Sequence, residues 1–241
     1  MENDLFIVKS VCKNIGNIRM IPKLMNLLYE KRDSLIHHTV TKGLNSNVTM
    51  KDSKIEGVGK IPKHWDVEPL KFHVKINENT LDNKTDPLLK ISYIDIGSVH
   101  AGGKMDESEL MLFSESPSRA RRIVKENDSI VSTVRTYLKA ISFIDGKHDN
   151  HICSTGFAVL SPSKRLEPKF FYWLISSPKY IDAIMANSEG VTYPAINPTK
   201  IERFPCILPP KQEQKDISDF LDQKISKIDL ILENIPKNNY T

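Results

Sequence analysis

The sequence predicts an α+β fold: one mixed α/β domain flanked by long N- and C-terminal helices forming a coiled-coil-like spacer. Helical periodicity marks both ends of the 241-residue chain, β-branched alternating runs fill the middle, and proline or glycine punctuates the boundaries. The length allows one or two domains with a sizeable core. Hydrophobic residues at 39% and charged residues at 27% exclude wholesale disorder.

Residues 1–21 carry no pattern that assigns them a role. The segment 22–44 places Leu24, Leu27, Leu28, Leu35 and Val40 at helical spacings, with Pro22 at its start and Gly43 at its end. That predicts a spacer helix of about six turns. A polar link, 45–60, leads into a domain expected over 61–210. Within it KISYIDIG, DSIVSTV, YLKAISFI and HICSTGFAVL read as strands, and EPKFFYWLISS and PKYIDAIMANS as short helices opened by proline. In 211–235, Leu221, Ile225, Ile228, Leu232 and Ile235 recur at spacings of 4, 3, 4 and 3, an apolar heptad seam. Aspartates 216, 219 and 222 suit the start of that helix and Pro236 closes it, leaving a tail at 236–241. A seam so narrow calls for one partner helix, from the first spacer segment or from another chain.

Three scattered cysteines (Cys12, Cys153, Cys206) without a CxxC pair argue against a disulfide framework and for a reducing compartment, with the cytoplasm as the expected location. No signal-peptide pattern and no run of about 18 apolar residues occurs, so no membrane association is expected.

Formal charge is only +4. Between Pro117 and Phe143, however, six cations (Arg119, Arg121, Arg122, Lys125, Arg135, Lys139) face two anions (Glu126, Asp128), an excess equal to that of the whole chain. This is either a solvated loop face or a surface whose planar donors suit phosphate and guanine.

Known catalytic signatures are missing: there is no GxxxxGK[ST], GxGxxG, GxSxG or HExxH. Pro209–Pro210 lies between Leu208 and Lys211, without the acid or asparagine and the aromatic that an amino-methyltransferase needs. Asp145, Glu167 and Lys169 would make a nuclease set only if a helix start and a strand end converged. His148, His151 and Cys153 resemble half a zinc site, but no second ligand pair follows. His37 and His38, adjacent on a helix, point about 100° apart and share no ligand. No catalytic residue and no metal is therefore expected.

LLYEKRDSLIHHTVTKGL followed by VTMKDSKIEGVGKIPKHWDVEPLK resembles the central region of the specificity subunits of type I restriction-modification systems. ENDSIVSTVRTYLKAISFI, ICSTGFAVLSP, SEGVTYPAIN and FPCILPPKQEQKDISDFLDQKISKID resemble that family's target-recognition domain and the helix after it. The resemblance runs from about Leu24 to Ile235. It implies a non-catalytic subunit that reads double-stranded DNA and directs a methyltransferase (M) subunit and a restriction (R) subunit to the target. S-adenosylmethionine, ATP and Mg are then expected on those partners and no cofactor on this chain. Members resemble two recognition domains joined by antiparallel helices, so this chain is expected to be a C-terminal half or half-subunit that could form a homodimer. A recombination cassette acting only as an adaptor is the other reading, with a stand-alone nuclease behind it.

The same resemblance implies recognition by loops and strand ends in the major groove, with cations on phosphates. The candidate DNA contacts are Ser132, Thr133, Arg135, Tyr137 and Lys139 in STVRTYLKA, Thr192, Tyr193 and Asn197 in EGVTYPAIN, and Arg121 and Arg122. Tyr137 could equally be core, Thr192 a turn stabiliser after Gly190, and Asn197 a turn former before Pro198. Trp65 reads as a packing anchor at the start of the domain. Candidate helix-seam residues for assembly are Leu221, Ile225, Ile228, Leu232 and Ile235, with Leu24, Leu28 and Leu35 opposite.

Overall fold

The computed structural model describes residues 20–235. Cys12, the tail at 236–241 and all but the last two residues of the unmatched segment 1–21 lie outside them. In chain order the elements are α1 (Met20–Lys42), β1 (Met50–Asp52), β2 (Lys60–Pro62), β3 (Asp66–Pro69), β4 (Val74–Ile76), β5 (Lys90–Ile94), β6 (Glu109–Leu112), β7 (Ala120–Ile123), β8 (Ser129–Ser132), β9 (Ile141–Phe143), β10 (Ile152–Ser154), β11 (Phe157–Pro162), α2 (Pro168–Ile175), α3 (Pro178–Ala186), α4 (Pro198–Ile201), β12 (Pro205–Leu208) and α5 (Lys211–Asn234).

α1 begins and ends as its punctuation dictates. Pro22 occupies the first turn, where a missing N–H is harmless. Gly43 takes φ +75° and donates its N–H to the Thr39 carbonyl at 3.0 Å. The buried face is Arg32, Ile36, Thr39 and Val40, with Leu28 and Leu35 packed against the core. Leu24 is half-buried, and Leu27 is 53% exposed although its spacing predicts burial.

The way α1 packs on α5 explains the difference. Arg32 donates to Asp229 at 3.3 Å, while Trp65, packed beside Gly43 at the other end of α1, donates to Glu213 at 2.9 Å. The two helices are therefore antiparallel, and Leu27, nine residues before the buried Ile36, lies about 180° around α1 from it and so faces away from this packing.

The β-rich middle divides into two four-stranded sheets, ordered β6-β5-β10-β7 and β4-β11-β8-β9, and two small pairs, β1-β2 and β12-β3. Every pairing is antiparallel except β5 with β10. HICSTGFAVL, read as one strand, is broken at Thr155–Gly156 because the chain leaves one sheet there and enters the other. A Cβ on Gly156 would collide with the end of the Ile96 side chain, so a larger residue at this crossing would have to displace it. YLKAISFI is also shorter than expected: Thr136–Leu138 forms a 3-10 turn and only Ile141–Phe143 is strand. The link 45–60 contains β1, which pairs with β2.

The two long helices and the β-rich middle share one core. Ile36 and Val40 of α1, Trp65, Leu70, the α2 run Phe170–Ile175, and Ile217, Leu221, Ile225 and Ile228 of α5 belong to a single buried cluster. Leu232 is half-buried at its edge and Ile235 is buried.

Polar anchors fix α5 along its length. Gln214 accepts from the Glu167 N–H at 2.7 Å, Asp222 accepts from Trp173 Nε1 at 2.8 Å and from Lys169 at 2.5 Å, and Glu233 pairs with Lys104 at 3.1 Å. Arg32 also donates to the Gly102 carbonyl at 3.1 Å, tying α1 to a loop of the domain. The heptad spacing alone suggests a projecting arm; these anchors make the arm part of the domain.

Cys153 and Cys206 are fully buried, and burial pushes the Cys153 thiol up to about 12 and that of Cys206 higher still. Because the thiolate is the nucleophile, both should resist iodoacetamide at pH 8 in the native protein and react in urea. Peptide mass mapping checks this; native labelling at the rate of a free thiol would contradict it. Among the described residues, no helix is long and apolar enough to cross a membrane.

Candidate nucleic-acid interface

Strand β8 carries the chain out of the sheet at Ser132, and β9 brings it back at Ile141. The seven residues on the Thr133–Lys139 path form an exposed corner held from beneath. Ser132 Oγ donates to the Val134 carbonyl at 2.5 Å, and both the N–H and the hydroxyl of Thr133 donate to the Gly156 carbonyl, at 2.7 and 2.8 Å. Both side chains are buried. This corrects the expectation that Ser132 and Thr133 read bases: their hydroxyls are engaged internally and shape the corner.

Arg135 and Lys139 flank the 3-10 turn in the left-handed region, at φ 51° and 53°. For residues with a Cβ this conformation is sparsely populated and costs about 1 kcal/mol or more each. It points both cations outward at the ends of one turn, and both are exposed. Tyr137 between them is 48% exposed, so it is not a core residue.

A second loop lies along this corner. Glu189 and Ala195 exchange both backbone hydrogen bonds at 2.8 Å, Ile196 donates to the Thr133 carbonyl at 2.9 Å, and Thr136 Oγ1 meets Ser188 Oγ at 2.9 Å. Thr192 and Tyr193 at its tip are exposed, and the Arg135 guanidinium sits 5.1 Å from the Tyr193 ring centroid, a cation–π pair. Six of the ten candidates thus converge from two sequence segments: Arg135, Tyr137, Lys139, Thr192 and Tyr193 on the outer surface, with Thr133 as their shared support. Asn197 behaves as the turn former: its side-chain oxygen caps α4, accepting from the Thr199 N–H and hydroxyl at 3.0 Å each.

The arginine-rich window does not form one cationic stripe. It is neither loop nor a single face, because Arg121 and Arg122 lie on β7 in the other sheet. Arg119 is paired with Asp95 at 3.0 Å and donates to the Tyr93 hydroxyl at 3.1 Å. Arg121 packs over the Phe113 ring and donates to the Ser118 carbonyl at 3.0 Å, and among the described residues no acid forms an ion pair with it. Arg122 is half-buried opposite Cys153, burial pulls its pKa below the usual range, and its Nη1 is buried without a hydrogen-bond partner. Arg121 therefore remains suited to a phosphate, and Arg122 is poorly placed for one.

The alternative chemical sets are dispersed. Asp145 bonds His148 at 2.6 Å, Glu167 pairs with Lys211 at 3.1 Å, and Lys169 pairs with Asp222. The His148 and His151 rings lie 5.3 Å apart at a tilt of 53°, but Cys153 beyond them is sealed in the inter-sheet core. Among the described residues no group of three His, Cys, Asp or Glu is arranged to hold a metal ion.

Residues 47–238 match the family described as the type I restriction modification DNA specificity domain. The chain is 26% identical over 143 residues to the type I restriction enzyme HindI specificity subunit of Haemophilus influenzae, covering 58% of this chain and 31% of that protein. It is 22% identical over 177 residues to the EcoKI specificity subunit of Escherichia coli K12, covering 71% and 38%. Among solved structures, the HsdS subunit from Thermoanaerobacter tengcongensis superposes with a TM-score of 0.64 at 27% identity, over 74% of this chain and 46% of that one. A chain from a study of complex assembly and conformational transition of the type I R-M system gives a TM-score of 0.65 at 27% identity, over 71% and 45%. The chain thus spans less than half the length of each of these relatives.

Proposed function

The chain belongs to the type I restriction modification DNA specificity domain family, and from that premise we propose that it is the non-catalytic component that reads duplex DNA and brings a methyltransferase and a restriction subunit to the site. The observation that carries this reading is the outward pair Arg135 and Lys139, held in a strained backbone conformation on a buried, hydrogen-bonded support. Strain retained at an exposed cationic corner points to a binding role. S-adenosylmethionine, ATP and Mg belong to the partner subunits, where methyl transfer on an extruded base takes place.

Co-expression with the cognate methyltransferase subunit, followed by mapping of methylated adenines across the genome, is expected to yield one defined motif. Methylation without a motif, or none at all, would overturn the reading. In DNA-binding titrations at several salt concentrations, Arg121→Gln should weaken binding to all sequences and lower the salt slope by about one phosphate contact. Arg122→Gln should change the slope less, since its Nη1 is buried within the protein. Equal slope changes would contradict this ranking.

A second copy of the chain is the proposed partner for the open end of the helix pair, where Leu27 is 53% and Leu230 50% exposed. Ile228 is buried within the chain, so a charge there would damage the fold as well as any interface. Leu27→Glu with Leu230→Glu is the cleaner test: light scattering at micromolar concentration should shift from dimer to monomer with the thermal transition kept. A wild-type chain that is monomeric with its methyltransferase present would refute self-association.

A further inference from the structure

We infer that Val191 is a specificity-determining residue that reads the C5-methyl group of a thymine in the major groove, an inference that rests on the DNA-recognition reading above. Val191 is completely solvent-exposed, at 101%. The loop that presents it is nonetheless anchored at its base. Glu189 and Ala195 close it with two 2.8 Å hydrogen bonds, Lys200 pairs with Glu189 at 2.5 Å, and Thr136 and Ser188 join it to the cationic corner. Gly190 supplies the φ of +100° that lifts the tip away from this base. Tyr193, two residues on, lies under the Arg135 guanidinium, so the apolar tip stands beside the cation that addresses DNA.

The chemistry of valine selects the partner. Its branched side chain is stiff at χ1, so little rotamer freedom is lost when it is covered. It is too short to wedge between stacked bases, a task performed by Phe, Leu, Ile, Met or Pro in the minor groove. On the major-groove edges of the four bases the apolar feature is the thymine methyl, and small aliphatic groups contact it. Neighbouring Thr192 offers a hydroxyl that can serve an adjacent base edge or phosphate.

The test uses the full chain and randomised duplex pools, one containing thymine and one with deoxyuridine in its place. The wild-type chain should select a motif with an A·T pair at which uracil lowers affinity by about fourfold, the effect of exposing one methyl-sized group. Val191→Ser, which replaces the two methyl groups by a hydroxyl, should bind the thymine and uracil forms of that motif equally, with an unchanged thermal transition because the side chain contacts solvent. A wild-type motif indifferent to uracil at every position, or a thymine preference retained by Val191→Ser, would overturn this inference alone. Failure of the wild-type chain to select any motif would overturn it together with the recognition reading.

Discussion

Replacing Trp65 by alanine is expected to lower the unfolding free energy by about 3–5 kcal/mol, the range for truncating a buried large aromatic. Trp65 has no exposed surface. It fills the junction where α1 ends, the β1-β2 pair begins and α5 starts: a Cβ on Gly43 would lie only 3.0 Å from its Cζ2, and its Nε1 donates to Glu213 at 2.9 Å. Glu213 also binds His64 at 2.7 Å, so truncation leaves the carboxylate with a single protein partner. Against a typical total of about 5–15 kcal/mol, the loss is a large fraction of the stability. Urea unfolding should show a lower midpoint with an unchanged slope. Trp65→Phe should cost less, because it keeps most of the volume and gives up mainly the hydrogen bond. A loss below about 1 kcal/mol for the alanine variant would mean that the site collapses without a cavity.

Trp65 could be read as an anchor from the sequence because GKIPKHW combines turn residues with one large aromatic at the start of the domain. The long helices were equally legible, since periodicity, Pro22 and Gly43 at one end and the Leu221–Ile235 spacing at the other are local signals. The small strands were not. β1 to β4, β6, β7 and β12 have three or four residues each, too few for alternation to register, and β12 pairs with β3 from the opposite end of the domain. What α5 packs against was hidden for a related reason. Its seam predicts one partner helix, but Asp222, Asp229 and Glu233 on the same helix reach Trp173, Arg32 and Lys104, contacts that no spacing rule contains.

The interface was legible in its chemistry and obscure in its geometry. Arg135 and Lys139 stood out by charge, but Ser132 and Thr133 beside them look equally polar and point inward. The distinction arises where the β8 alternation stops and the left-handed residues begin, and neither arginine nor lysine announces that conformation. Arg119 belonged to the same cationic excess until Asp95, far away in sequence, neutralised it. Val191 carries no sequence signal beyond its position after a glycine; only its exposure on a pinned loop distinguishes it.

Arg135 and Lys139 should therefore separate when each is replaced by alanine. The Arg135 guanidinium is held at 5.1 Å over the Tyr193 ring, which limits its orientation and presents a planar donor pair suited to guanine O6 and N7. Its loss should reduce discrimination at one base position by about 1–3 kcal/mol while affinity for random DNA changes little. Lys139, a point charge on a flexible stem, should act on the backbone: its loss weakens binding to every sequence and lowers the salt slope by about one. Both residues adopt positive φ, so part of any effect could arise from backbone release. Arg135→Asn, which tolerates this conformation, separates the two causes. If asparagine restores discrimination, the backbone and not the guanidinium is responsible. Equal losses on specific and random DNA from Arg135→Ala would make it a second phosphate contact and leave base reading at this corner to Tyr137, Thr192 and Tyr193.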